Sequence, residues 1–159
     1  LKRTTPQNIV IGGAAGAIPP MVGWAAVTGG LELPAFYLFA IVFFWTPPHA
    51  YALMLMLKED YQKVRVPMLP VVRGDRETGR QIILYGVALL VVTVIPAALG
   101  LFGLLYLATA IFLGVILLAL AIKLYYSTKR MWALRLFRYS SLYLALLFLG
   151  LVLDRSFMA

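Results

Sequence analysis

The sequence predicts an all-α fold, a polytopic bundle of transmembrane helices, and three observations predict it. Of the 159 residues, 63% are hydrophobic and 13% charged, where a soluble domain averages about 45–50% and about 25%. The charges bound long uncharged runs: 28 residues lie between Arg3 and Glu32, 25 between Glu32 and Lys58, 42 between Arg80 and Lys123, and 15 between Arg138 and Asp154. Within these runs, segments such as Ile111 to Ile122 are continuously apolar rather than alternating as barrel strands do. A water-soluble globular protein is excluded. The absence of cysteine also excludes thiol nucleophiles, disulfides and Cys-ligated metals.

A hydrocarbon core of about 30 Å takes about 20 helical residues, so the runs give five spans. The first is 8–28, where Asn8 can cap the cytoplasmic end or bond in the headgroup region, and Gly12 and Gly16 set a small-xxx-small pattern for close helix packing. The second is 34–57 and contains Trp45-Thr46-Pro47-Pro48-His49. Consecutive prolines remove backbone donors and are expected to kink it. The 42-residue run holds two spans, 81–101 and 104–126, with Pro96, Gly100 and Gly103 marking the turn. The last span, 132–153, starts near Trp132 and lets Arg135 and Arg138 snorkel or face the bundle. The chain opens on Leu1-Lys2-Arg3 with no initiator Met and no signal-peptide h-region, so it is expected to be part of a longer protein.

The net charge of +8 is informative by position. The segments before span one, between spans two and three, and between spans four and five hold Lys2, Arg3, Lys58, Lys63, Arg65, Arg73, Arg76, Arg80, Lys123, Lys129, Arg130, Arg135 and Arg138, which is 13 of the 14 basic residues. Only Arg155 falls on the other side. The positive-inside rule places those segments in the cytoplasm and the C-terminus opposite. The charge thus reports membrane topology and lipid contact rather than a nucleic-acid partner.

The one long connection is the expected cytoplasmic loop 58–80, with six basic and four acidic side chains. Loops of this length in a compact bundle are more often functional than idle. Its first part is expected to extend span two as a cytoplasmic helix that breaks at Val66-Pro67, after which Pro67, Pro70 and Gly74 are expected to fix an extended, turned segment. His49 is the single ionisable group in its span, and at 100° per residue His49, Met56, Asp60 and Lys63 share one stripe on a continuous helix. Such a stripe suits an amphipathic substrate; equally, His49 suits a core hydrogen bond and Asp60 a helix-end pair with Lys63 or Lys58.

Three runs, Leu1 to Trp24 (LKRTTPQNIVIGGAAGAIPPMVGW), Phe44 to Ala52 (FWTPPHAYA) and Asp60 to Val72 (DYQKVRVPMLPVV), resemble the protohaem IX farnesyltransferase (haem O synthase) family of UbiA-type intramembrane prenyltransferases. The resemblance implies a nine-helix fold of which this chain is the C-terminal five, with 58–80 as the second of two active-site loops. It implies transfer of a farnesyl group from farnesyl diphosphate to a vinyl group of haem B, with Mg2+ required, in the cell inner membrane. Diphosphate departure requires carboxylates to hold magnesium and cations to hold phosphate oxygens. On the resemblance Asp60 is the metal carboxylate and, with Lys58 and Tyr61, the catalytic set. Lys63, Arg65 and Arg73 are candidates for the diphosphate. His49, with Trp45 and Met56, is the candidate haem contact. The family's first aspartate motif is on a helix outside this chain, so these residues alone are expected to be inactive and to need the N-terminal half as partner. Where the wider superfamily pairs aspartates, Asp60 is followed by Tyr61, which fits haem-type members better than those acting on a quinone or chlorophyll precursor. The non-enzymatic alternative is a transporter half or membrane scaffold.

Overall fold

A computed structural model describes residues 8–127 and 129–158. Lys2, Arg3 and the first part of the TPQN run lie outside the described residues. Eight helices follow in order: α1 Asn8–Gly16, α2 Ile18–Thr28, α3 Leu33–Met56, α4 Lys58–Lys63, α5 Leu69–Val72, α6 Gly74–Ala98, α7 Leu104–Ser127 and α8 Arg130–Met158. Taking α1 and α2 as one unit, five are long and apolar enough to cross a membrane.

The first span divides at Ala17, because Pro19 and Pro20 bring no N–H to the carbonyls one turn before them. In contrast α3 runs through Pro47 and Pro48 without interruption. Close approach of α1 to α3 falls at Gly13, whose added Cβ would stand 3.2 Å from Thr46 Cγ2, while Gly12 and Gly16 face open space. The small-xxx-small pair is therefore not the packing contact within this chain.

α3, α6, α7 and α8 form a closed ring, each packed on two neighbours, and α1 and α2 lie outside it against α3. Glycines let the ring helices meet: an added Cβ at Gly114 would stand 2.6 Å from Leu90, and one at Gly150 would stand 3.0 Å from Thr109. The buried core includes Ile41, Ile82, Leu89, Tyr106, Leu117, Leu136 and Tyr143. Short turns join α6 to α7 and α7 to α8, so the helices alternate in direction. At the end away from α4, the buried Asp154 on α8 accepts from the backbone N–H groups of Gly103 at 2.5 Å and Tyr106 at 3.2 Å. A carboxylate of one helix thus satisfies orphan donors at the start of another.

In the stretch 58–80, α4 occupies the part expected to continue the second span as helix, whereas the part after Pro67 is not the extended segment expected. α5 occupies some of that part, and α6 begins at Gly74, seven positions ahead of the expected span start at 81. Charge marks where a helix leaves the hydrocarbon, not where it ends. Gly74 takes φ 81, and Asp75 and Glu77 in the first turn suit the positive end of the helix.

Candidate functional site

The ends of α3, α7 and the starts of α6 and α8 converge beside α4, and a cavity of ≈ 480 Å³ opens there. That volume lies within the range of small-molecule sites, about 300–1,000 Å³. Lys58, Asp60, Asp75 and Arg130 bring charge to its wall, and Met56 and Leu124 bring apolar surface. With Glu59 also on the wall, two cations and three carboxylates meet at the mouth of an apolar bundle.

The carboxylates are engaged differently. Lys58 Nζ donates to Asp75 Oδ1 at 2.7 Å, with side chains 29% and 37% exposed. Lys63 Nζ reaches Asp60 Oδ1 at 3.4 Å, with side chains 74% and 69% exposed. An exposed pair one turn apart is worth only about 0.3–0.5 kcal/mol, so Asp60 is released to another cation at little cost. A hard oxygen donor so loosely held fits magnesium, which takes one or two carboxylates, several waters and substrate phosphates. Among the described residues there is no cluster of three or more acidic, histidine or cysteine side chains, so Asp60 fits as one contributor to such a site.

The remaining expected residues are divided in space. Tyr61 packs its ring against the core. Arg65 and Arg73 are exposed, Arg65 in the turn after α4 and Arg73 immediately before α6. Arg65 has φ 52, and Arg65 N–H bonds Gln62 O at 3.1 Å while Val66 N–H bonds Tyr61 O at 3.1 Å. This paired closure is the Schellman ending of a helix, whose left-handed position is usually glycine.

His49 and Trp45 stand apart from the cavity, at the α3–α8 contact. Leu57, with φ −103 and ψ 16, separates α3 from α4, so the stripe expected from His49 to Lys63 is interrupted and does not lead from one to the other. Trp45 Nε1 donates to the Ser140 carbonyl at 2.7 Å, and His49 Nδ1 lies 2.8 Å from Ser140 Oγ. Ser140 Oγ in turn donates to the Phe137 carbonyl at 2.8 Å. With the hydroxyl proton committed, the tautomer that satisfies both bonds carries its proton on Nδ1 and leaves Nε2 with a lone pair, an assignment made from the network. The imidazole is stacked between Trp45 and Phe137, with centroids 4.4 Å and 4.6 Å away. Of the three expected haem contacts, only Met56 lines the cavity.

At the start of α1, the buried Asn8 donates through Nδ2 to Met68 Sδ at 3.4 Å, and this ties the α1 end of the TPQN run to the VPML turn. Basic side chains around the same end lie over aromatic rings: Lys123 and Arg135 lie 5.0 Å and 4.6 Å from Trp132, and Arg76 lies 5.7 Å from Tyr125. Arg135 therefore reaches outward, as snorkelling requires. Asp75 and Arg130 are cavity residues that sequence reasoning passed over. The signal for Asp75 was the Gly-Asp step that opens α6; Arg130 left none beyond its charge.

Comparison with known proteins adds the following. Residues 1–153 match the UbiA prenyltransferase family. The chain is 55% identical over 156 residues to a protoheme IX farnesyltransferase of Thermus thermophilus, covering 98% of this chain and 26% of that protein. It is 54% identical over 159 residues to one of Parvibaculum lavamentivorans, covering 98% and 50%, and 53% identical over 162 residues to one of Deinococcus radiodurans, covering 98% and 52%. The chain thus spans between about a quarter and about half of the length of these relatives. No solved structure matches it.

Proposed function

The chain belongs to the UbiA prenyltransferase family, and from that premise we propose that it forms the C-terminal, diphosphate-binding half of a membrane enzyme that farnesylates haem B to haem O. The observation that carries this reading is the polar cavity in which Lys58, Asp60, Asp75 and Arg130 meet at the end of an apolar bundle. A substrate with a charged diphosphate and a hydrocarbon tail needs that combination. The relatives named protoheme IX farnesyltransferase support haem as the acceptor.

In the proposed reaction the C1–O bond of farnesyl diphosphate breaks, its electron pair leaves with the diphosphate, and the π electrons of a haem vinyl group form the new carbon–carbon bond; the cation left on the vinyl carbon beside the porphyrin is captured by water, which loses a proton and remains as a hydroxyl. Charge accumulates on the leaving oxygens, where donors are worth most in a site shielded from water. Lys58 and Arg130 supply cations from opposite walls, with Lys63, Arg65 and Arg73 around the approach. Asp60 holds magnesium, which when bound supplies further neutralisation of the diphosphate. Tyr61 buttresses the α4 backbone that carries Asp60. The rest of the longer protein supplies the complementary carboxylates, so these residues alone are inactive. The cavity end faces the cytoplasm of the cell inner membrane, since the basic residues other than Arg155 gather there.

The haem reading centres on His49, whose Nε2 lone pair can ligate iron or, once protonated, donate to a propionate, with Trp45 fixing its ring and Met56 at the cavity edge. In the full-length protein, Asp60→Asn is expected to lower Mg2+-dependent turnover by about 10²-fold or more while the protein still inserts; unchanged turnover sinks the assignment. His49→Ala is expected to weaken haem binding about tenfold in a Soret titration, with the KM for farnesyl diphosphate unmoved. Wild-type haem affinity in that variant would leave His49 as a packing residue.

A further inference from the structure

Lys58 opens α4 and Asp75 lies in the first turn of α6, and their 2.7 Å bond crosses the wall of the cavity that Asp60 and Arg130 also line. Two features set this pair apart from the neighbouring Asp60–Lys63 pair. It is shorter by 0.7 Å, the difference between 2.7 and 3.4 Å, and its side chains are far less exposed. Asp75 also lies in the first turn of a 25-residue helix, where the helix dipole favours a carboxylate.

A lysine side chain carries large rotamer freedom, and a ligand that must order it loses affinity. Asp75 orders Lys58 before any ligand arrives. An ammonium has three donor hydrogens, so the bond to Asp75 leaves two for phosphate oxygens. The same bond keeps Lys58 from satisfying Asp60, whose own partner is the loosely held Lys63.

We propose that Asp75 is a positioning residue, which holds the Lys58 ammonium in the cavity as a preset diphosphate donor and leaves the Asp60 carboxylate for the metal. This rests on reading the cavity as the diphosphate site. Arg130, from the facing α8, needs no such partner, since its planar fork is already preorganised.

The test uses the full-length protein with D75N, D75E, K58M and the double variant D75N/K58M. It measures the KM for farnesyl diphosphate, kcat, and calorimetric binding of inorganic diphosphate in the presence of Mg2+. D75N is expected to raise the diphosphate Kd and to lower kcat/KM for farnesyl diphosphate about tenfold, with the haem KM changed less than about twofold. D75E should recover most of the loss. In the K58M background D75N should change neither constant by more than about twofold, because the group it positions is gone. Thermal midpoints check that each variant is folded, and D75E with D75E/K58M completes the same cycle where D75N does not accumulate. Additive losses in the double variant, or wild-type diphosphate affinity in a folded D75N, overturn the proposal. Wild-type turnover in D60N would instead remove the cavity reading itself, whereas an inactive D60N beside an inert D75N removes only the role of Asp75.

Discussion

Arg65 is the only non-glycine residue with positive φ among the described residues, at 52°. A left-handed conformation costs an L-residue roughly 1–2 kcal/mol, and residues held there tend to mark function. Glycine or asparagine would close the Schellman turn without that cost, so the proposed diphosphate role of the guanidinium can be tested apart from the turn. Arg65→Asn keeps a residue that tolerates the left-handed position and deletes only the charge. It is expected to leave stability equal or raise it by up to about 1 kcal/mol, and to raise the KM for farnesyl diphosphate about tenfold. The checks are a thermal melt and steady-state kinetics; an unchanged KM would mean that the guanidinium does not reach the diphosphate. Arg65 was legible as a candidate from its charge, but its strain was not, because nothing in VRVP announces a positive φ. His49 shows the same limit. Its isolation in an apolar run was visible, whereas Ser140, which fixes its tautomer, lies 91 residues away and no local pattern points to it.

At the scale of elements, what could be read was whatever the membrane enforces. Lipid demands runs of about 20 apolar residues, and those runs are written directly in the composition. What could not be read was set by backbone bonds and distant partners. α6 starts among Asp75, Arg76 and Glu77 because a helix continues into water wherever its amides and first-turn charges are satisfied, and hydropathy is blind to that. The break at Leu57 fell where a periodicity argument assumed continuity, and His49 bonds Ser140 at the α3–α8 contact, outside the cavity that Asp60 lines. Glycine spacing misled for a related reason. Gly12 and Gly16 matched a packing pattern yet face open space, while Gly86 and Gly150, which each carry a 3.0 Å approach within the ring, have no small residue four positions before them. The clip from Asp154 to the start of α7 joins residues 51 and 48 positions apart. Of the candidate site, Lys58, Asp60 and Met56 were legible because they lie together on one stretch of chain; Asp75 and Arg130 joined them only through the convergence of helix ends.

For the whole molecule, alternation of the helices and the placement of charge make one joint statement. The ends that converge on the cavity carry eleven of the twelve basic residues in the described segments, and the opposite end carries Arg155. A potential across the membrane and the translocation machinery act on such an imbalance, and the positive-inside rule predicts that the cavity end stays inside. Apolar residues facing away from the ring, such as Phe112 at 67% and Leu104 at 80% exposure, are the surface such a bundle presents to lipid. The chain contains no cysteine, which permits a direct test. Single cysteines at Val64, 66% exposed beside the cavity, and at Leu31, 56% exposed in the turn between α2 and α3, should report opposite sides. In full-length protein freed of any other cysteines, a membrane-impermeant maleimide applied to intact cells is expected to label Leu31→Cys, and to label Val64→Cys only after the membrane is opened. Labelling of both from one side would break the alternation of spans, and the reversed pattern would invert the orientation while leaving the bundle intact. The first result would also separate Asp60 from the helix ends it shares a cavity with, so this experiment bears on the site as much as on the topology.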